Sequence, residues 1–450
     1  MTESPMTKEQ PAAEAPAAHQ PPRAHGRINA VQLYRSVPRY VAARTLSSSL
    51  PKPLRSLSSA LTSTATAAAP LRLHDGAPPA LPQADGWARV RPRLSGICGS
   101  DLATVTGRSS FYFGSLISLP FTPGHEVVGE LIDACDGEGG ELPAGTRVVL
   151  APVLGCDARG LPRCASCAAG ARSRCDRITS GHLAPGLQTG YCADTGGGWS
   201  GQFVAHRSQL FAVPDSLPDE RAVLIEPLAC AIHSVRRAAV EPGERVLVVG
   251  AGAIGLLTLV ALRSLTSAGE ILVAAKHPNQ RALAAEFGAT QVISPGDLVG
   301  GVRRATRALR LDPEHGSPYL LGGVDVTLEC SGSGLDAALR VTRAGGRVVL
   351  SGLPTSSPDL TALWFREISL VGAYAADPAD MTAAIELAAV TPALDGLVGG
   401  RYPLERWRDA LDHALSAGRL GTGRVVFELS PDAGRSAPSR TPASTGRNGS

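Results

Sequence analysis

From Glu244 onward the chain repeats one pattern, a short apolar run, a polar or glycine-rich break, and then a longer segment. ERVLVVGAGAIGLLTLVALRSL reads as strand, turn and helix, because the VLVV run suits a strand buried on both faces and the stretch after the glycines has helical length. EILVAAKH predicts a second strand, RALAAEFGA a helix stopping near Gly288, and VDVTLECSG and GGRVVLSG two more strands. Strands alternating with helices predict an α/β unit on a doubly wound parallel sheet with both faces covered. The two ends lack any such pattern. Residues 1–26 and 430–450, rich in Pro, Ala, Ser, Thr and Gly, hold too little apolar sequence to order themselves and are read as disordered tails.

The first turn carries chemistry. Gly250, Gly252 and Gly255 form GxGxxG between a strand and a helix, the context a dinucleotide site needs: a tight turn, close backbone approach to a pyrophosphate, and helix packed on strand. An acid for a ribose hydroxyl is expected about twenty residues further on. The chain has Ala275, Lys276 and His277 there, with Arg281 a turn later. Positive charge suits a 2′-phosphate and favours NADP over NAD; a solvated basic helix start is the alternative.

Composition adds limits. A chain of 450 residues fits two domains plus tails, and a net charge of +3 implies no nucleic-acid partner. No apolar run has membrane-spanning length and the opening residues lack a secretory pattern, so the expected setting is cytoplasmic, with no membrane partner. Residues 27–74 contain no Asp or Glu but several arginines, and are read as a solvated basic flap. Of the nine cysteines, Cys156, Cys164, Cys167 and Cys175 share one short polar loop. Four thiolates close a tetrahedron around zinc with no open position, a structural site; a CxxC redox pair is the weaker alternative. Cys135, Cys192, Cys230 and Cys330 are read as packing residues. Cys98, in SGICGSD ahead of TPGHEVVGE, is either a small buried apolar residue or a metal ligand.

Taken in order, CGSD at Cys98, GHE at Gly124, the four-cysteine lobe, EPLA at Glu226 and the glycine fingerprint resemble the zinc-dependent medium-chain alcohol and polyol dehydrogenases, over roughly Ala30 to Leu429. The resemblance implies a partly open, GroES-like β-barrel catalytic domain at 27–230 with a zinc lobe at 156–175, interrupted by a Rossmann-type dinucleotide-binding domain at 231–378 and resumed at 379–429. It implies two zinc ions per chain, one catalytic and one structural. Cys98, His125 and Glu226 are then the catalytic zinc ligands, Asp101 orients His125, Glu126 approaches the metal and Ser100 passes on the substrate proton. The implied reaction moves a hydride between a nicotinamide cofactor and a small alcohol or carbonyl compound of polyol, sugar or secondary-alcohol type.

Two departures stand out. Ala103 replaces the histidine that ends the proton relay in many relatives, and the long Cys156 to Cys164 spacing makes His182 or Cys192 alternatives to Cys156. EISLVGAY resembles a strand that pairs between subunits, implying a homo-oligomer, a dimer or tetramer. Phe111, Tyr112, Phe113 and Trp199 are candidates for an apolar pocket wall, with core packing as the alternative. A second functional reading keeps the fold without catalysis, as a zinc-stabilised nucleotide-binding or scaffolding protein.

Overall fold

The computed structural model describes residues 26–47, 64–137, 140–354 and 358–429. Apart from Gly26, the tails read as disordered lie outside the described residues, as does the middle of the acid-free segment, 48–63. The ends of that segment are ordered, which corrects the solvated-flap expectation. Strand β1 (Ile28–Leu33) is followed by helix α1 (Val37–Ser47) and pairs antiparallel with β2 (Leu71–Gly76), burying Val31 and Leu33 in a cluster with Phe121 and Trp199. The arginines serve local structure: Arg39 donates to the Ala69 carbonyl at 3.0 Å, Arg44 to that of Gly107 at 2.6 Å, and Arg72 lies over the Tyr34 ring.

The chain then lays down β3 (Trp87–Gly96), helix α2 (Gly99–Val105), β4 (Val127–Leu131), β5 (Arg147–Leu150), β6 (Phe203–His206) and β7 (Leu210–Ala212). Helix α3 (Ile225–Ala238) leads into β8 (Val246–Val249), α4 (Ala253–Leu265), β9 (Ile271–Ala274), α5 (Pro278–Glu286) and β10 (Gln291–Ile293). A small ribbon, β11 (Leu309–Leu311) with β12 (Tyr319–Leu321), precedes β13 (Val324–Glu329), β14 (Thr342–Leu350), β15 (Ser369–Gly372) and α6 (Pro378–Ala389). The last elements are β16 (Val398–Pro403), α7 (Trp407–Leu420) and β17 (Arg424–Glu428).

Six parallel strands run in the order β10-β9-β8-β13-β14-β15, so the order reverses between β8 and β13, where ligands bind doubly wound sheets. Alternation along β8 decides its packing. Val246 and Val248 join a core with Leu228, Ile232, Leu256 and Val260 of α3 and α4, while Leu247 and Val249 face Leu272, Ile293 and Val302 on the other side. Burial on both faces is why these strands read as unbroken apolar runs.

The second sheet runs β16-β17-β3-β4-β5-β7, with β6 also paired to β3; all its pairings are antiparallel except β16 with β17. Pairing of β17 with β3 sets Val426 opposite Gly96, and this brings Arg424 to the residues just before Cys98. Helix α3 runs through position 230, and Met381, Ala384, Leu394 and Leu397, from α6 and the residues after it, share one apolar core with α3, α4 and β8.

Candidate active site

CGSD is a helix start. Cys98 caps α2, its backbone N–H donating to Asp101 Oδ2 at 3.0 Å in a capping box. That bond fixes the carboxylate with Oδ1 3.5 Å from His125 Nδ1, a close ionic contact, and Ser100 Oγ lies 3.5 Å from His125 Nε2. Cys98, His125 and Glu126 each offer a ligand atom, all within 4.8 Å of one another.

Glu226 is not in that group. Its Oε1 accepts a hydrogen bond from Cys230 Sγ at 3.3 Å, while its carboxylate stays close enough to feel the charges of His125, Glu126 and Arg424. Sequence reasoning also missed Arg424. This buried guanidinium donates through Nη1 to the Ile97 carbonyl at 3.0 Å and sets Nη2 3.0 Å from Glu126 Oε1. Only the strand register signals it, since it lies over 300 residues from Cys98 along the chain.

The site is electrostatically unfinished. Burial dominates at Glu226 and, with the neighbouring Glu126, raises its pKa to about 7 against the pull of His125 and Arg424. At His125 burial works downward, but the Asp101 carboxylate and the Cys98 sulfur prevail and hold it well above the usual value. Neither carboxylate oxygen of Glu126 accepts a hydrogen bond, Arg424 meeting Oε1 as an ion pair, and buried His125 Nδ1 and Asp101 Oδ1 face each other without forming one. A Cβ on Gly96 would overlap the Glu126 carboxylate, so that glycine leaves the space it occupies. A thiol, an imidazole and a carboxylate that accepts no hydrogen bond, converging beside a second buried acid, fit a zinc ion with an open position.

Cys156, Cys164, Cys167 and Cys175 form the second cluster, all buried with sulfurs within 4.8 Å of one another; Cys156 Sγ is 3.7 Å from Cys175 Sγ. His182 and Cys192 are elsewhere, the first edge-on to Trp87 and the second donating to the Ala184 carbonyl. Backbone N–H groups of Cys164 and Arg177 point at Cys156 and Cys175 sulfurs, at 3.3 and 3.4 Å. Backbone hydrogen bonds from Cys167 and Asp176 draw Cys164 down to about 7, whereas burial pushes Cys167 up. Four converging, closely spaced sulfurs fit a closed tetrahedral site.

The glycine fingerprint sits where the sheet order reverses. Gly250 ends β8 at φ +96°, a Cβ there would lie 2.8 Å from that of Ser331, and a Cβ on Gly255 would overlap the Gly250 carbonyl oxygen. Gly252 caps α4. Buried Glu329, not singled out in the sequence, shapes the facing loop by accepting from the N–H groups of Ser331, Gly332 and Gly334. Gly255→Ala is expected to push α4 from the turn and weaken dinucleotide binding about tenfold, measured by NADPH fluorescence titration. Lys276 is exposed, His277 caps α5, and Arg281 Nε donates to the Ala275 carbonyl at 3.2 Å.

The aromatic candidates separate. Trp199 is fully buried with its ring centroid 5.2 Å from that of Phe427, so it is core; Phe111 and Tyr112 are exposed, Phe111 lying against Tyr40 and Arg44 of α1; Phe113 packs part-buried beside the Trp199 cluster. Tyr374, just after β15, crosses between the domains to donate to Gln188 Oε1 at 3.1 Å.

Comparison with known proteins decides the family. Residues 84–215 match the alcohol dehydrogenase GroES-like domain and residues 253–390 the zinc-binding dehydrogenase domain. L-idonate 5-dehydrogenase of Vitis vinifera is 32% identical over 292 residues, covering 64% of this chain and 72% of that protein. The chain belongs to the zinc-dependent medium-chain alcohol and polyol dehydrogenases. Sorbitol dehydrogenase of Bacillus subtilis is 29% identical over 334 residues, 72% of this chain and 86% of that protein. The crystal structure of L-idonate 5-dehydrogenase from Escherichia coli superposes with a TM-score of 0.58 at 25% identity, covering 80% of this chain and 93% of that one. This dehydrogenase is thus a zinc-dependent oxidoreductase transferring a hydride between an alcohol or carbonyl substrate and a nicotinamide cofactor, and the non-catalytic reading has no support. Among the described residues no helix is long and apolar enough to cross a membrane.

Proposed function

We propose that this dehydrogenase acts on a secondary hydroxyl of a polyol or sugar acid, with a catalytic zinc held by Cys98, His125 and Glu126. The convergence of those three ligand atoms, with neither Glu126 oxygen accepting a hydrogen bond, carries the reading. Bound zinc supplies Lewis-acid polarisation of the substrate hydroxyl. Asp101, fixed by the capping box, holds the His125 ring through Nδ1. Arg424 offsets the charge of the two buried glutamates. Ser100, exposed at the start of α2, is the first acceptor of the substrate's proton. The four-cysteine lobe holds a second, structural zinc.

The test is a panel of sorbitol, xylitol and L-idonate with NADP or NAD, following cofactor reduction. Turnover of at least one that is abolished by a chelator supports the proposal; reduction unaffected by removing zinc overturns it.

We assign the cofactor preference to NADP, because Lys276 is exposed at the end of β9 where an acid is absent. Lys276→Asp is expected to shift the NADP-to-NAD ratio of kcat/KM about tenfold toward NAD. An unchanged ratio would place the lysine outside the cofactor site. Exposed Leu370 on edge strand β15, with Trp364 and Phe365 exposed nearby in sequence, favours a homo-oligomer, a dimer or tetramer, paired through that edge. Nine free cysteines suit a reducing, cytoplasmic setting.

A further inference from the structure

Ala103 leaves the proton taken up by Ser100 without the histidine that would carry it outward. The hydroxyl groups around α2 supply another path, entered where the Ser100 hydroxyl meets the Tyr191 phenol. Ser100 and Thr104 are one helical turn apart on the same face, and Thr104 Oγ1 donates to the Ser100 carbonyl at 2.9 Å. Thr104 Oγ1 is also 3.3 Å from the Tyr191 phenol oxygen and 2.9 Å from Ser109 Oγ. Tyr191 is buried, its ring centroid 6.0 Å from that of His125. Gly190, at φ +90°, permits this placement, because a Cβ there would lie 3.1 Å from the Gly124 carbonyl oxygen. Ser109 is half-buried between exposed Arg108 and Ser110, so the outer end meets water. The turn bearing Ser109 is tied down by α1: Tyr40 and Arg44 donate to the Gly107 carbonyl, and Ser47 to that of Thr106.

We propose that the substrate's hydroxyl proton leaves through four hydroxyls in series, Ser100, Tyr191, Thr104 and Ser109. The inference rests on the reading of Ser100 as first acceptor. Each oxygen gains one proton and gives one up: the substrate's goes to Ser100 Oγ, the serine's to the Tyr191 oxygen, the phenol's to Thr104 Oγ1, the threonine's to Ser109 Oγ, and the last to water. No electrons move in these steps. Thr104 needs one rotation of its hydroxyl, from the Ser100 carbonyl toward Ser109, and rotation of all four resets the chain. Burial dominates at Tyr191 and raises its pKa, with Asp101 adding to it against His125 and the Thr104 and Ser100 hydroxyls, so the phenol conveys protons as a neutral group. Tyr191, Thr104 and Ser109 act through Ser100, as positioning residues for its proton.

The test uses 2,2,2-trifluoroethanol, an alcohol that ionises readily without being oxidised, mixed with full-length protein holding NADP in weakly buffered phenol red. The unmodified protein should release a proton in a fast phase. Tyr191→Phe and Thr104→Val should each slow that phase roughly tenfold to a hundredfold while keeping zinc content and NADPH affinity. Thr104→Ser should restore the rate, imidazole should accelerate both slow variants, and the double variant should be no slower than the slower single one, as expected of steps in series. Ser100→Ala separates the two claims. If it is slow while Tyr191→Phe and Thr104→Val release protons at the unmodified rate, Ser100 keeps its role and the relay is overturned. If Ser100→Ala itself matches the unmodified rate, or the unmodified protein releases no proton, the underlying reading fails and the relay with it.

Discussion

Cys98→Ala should lower turnover by roughly a thousandfold or more, because a Lewis-acid contribution of several kcal/mol to the transition state goes with the ion. The fold should survive. Cys98 caps a helix of only seven residues and is only partly buried, so its thiol contributes little packing. The Asp101 carboxylate still accepts from the residue-98 N–H, which the substitution leaves in place. The expected result is therefore a protein with near-normal Tm and NADPH affinity that turns over almost no substrate. Steady-state rates beside a thermal melt check it; a variant retaining a tenth of the activity would remove Cys98 from the catalytic centre.

Cys167→Ala should do the reverse. Its sulfur is one of four buried in a loop with little regular structure, where Cys156, Cys164 and Cys175 are its apolar neighbours. Such a lobe has scarcely any core beyond its sulfurs, so metal-binding free energy is folding free energy there. The lobe is also tied to the nucleotide domain, the Ser173 N–H donating to Asp377 Oδ1 at 2.9 Å at the start of α6. Collapse should spread to that contact. Tm is expected to fall on the order of 10 °C, with partial loss of activity following the loss of structure. Differential scanning calorimetry on both variants reads this; equal destabilisation would sink the division of roles.

What was legible in the sequence is local or repetitive. The VLVV and ILVA runs announce strands because every side chain in them is buried, and the glycine fingerprint is legible because its spacing is set within one turn, Gly255 lying against the Gly250 carbonyl. CGSD was legible for a further reason, that one tetrapeptide makes both a helix cap and the support for His125. Residues that converge from distant segments were not. Glu126 joins Cys98 and His125 because the side chains, not the motifs, decide which ligand atoms converge; Arg424 arrives through the β17 to β3 register; Tyr191 comes from a glycine-rich loop with no signature. The acid-free segment misled because Arg39 and Arg44 end on backbone carbonyls, a use that composition does not distinguish from solvation.

Zinc counted by mass spectrometry on the unmodified protein, Cys98→Ala and Cys167→Ala tests the central claim most directly, that two ligand sets hold two ions with separate duties. The account predicts two ions per chain in the first and one in each variant, the ion kept by Cys98→Ala being the one that resists mild chelation. A single ion in the unmodified protein, or a count that Cys98→Ala leaves unchanged, would contradict it.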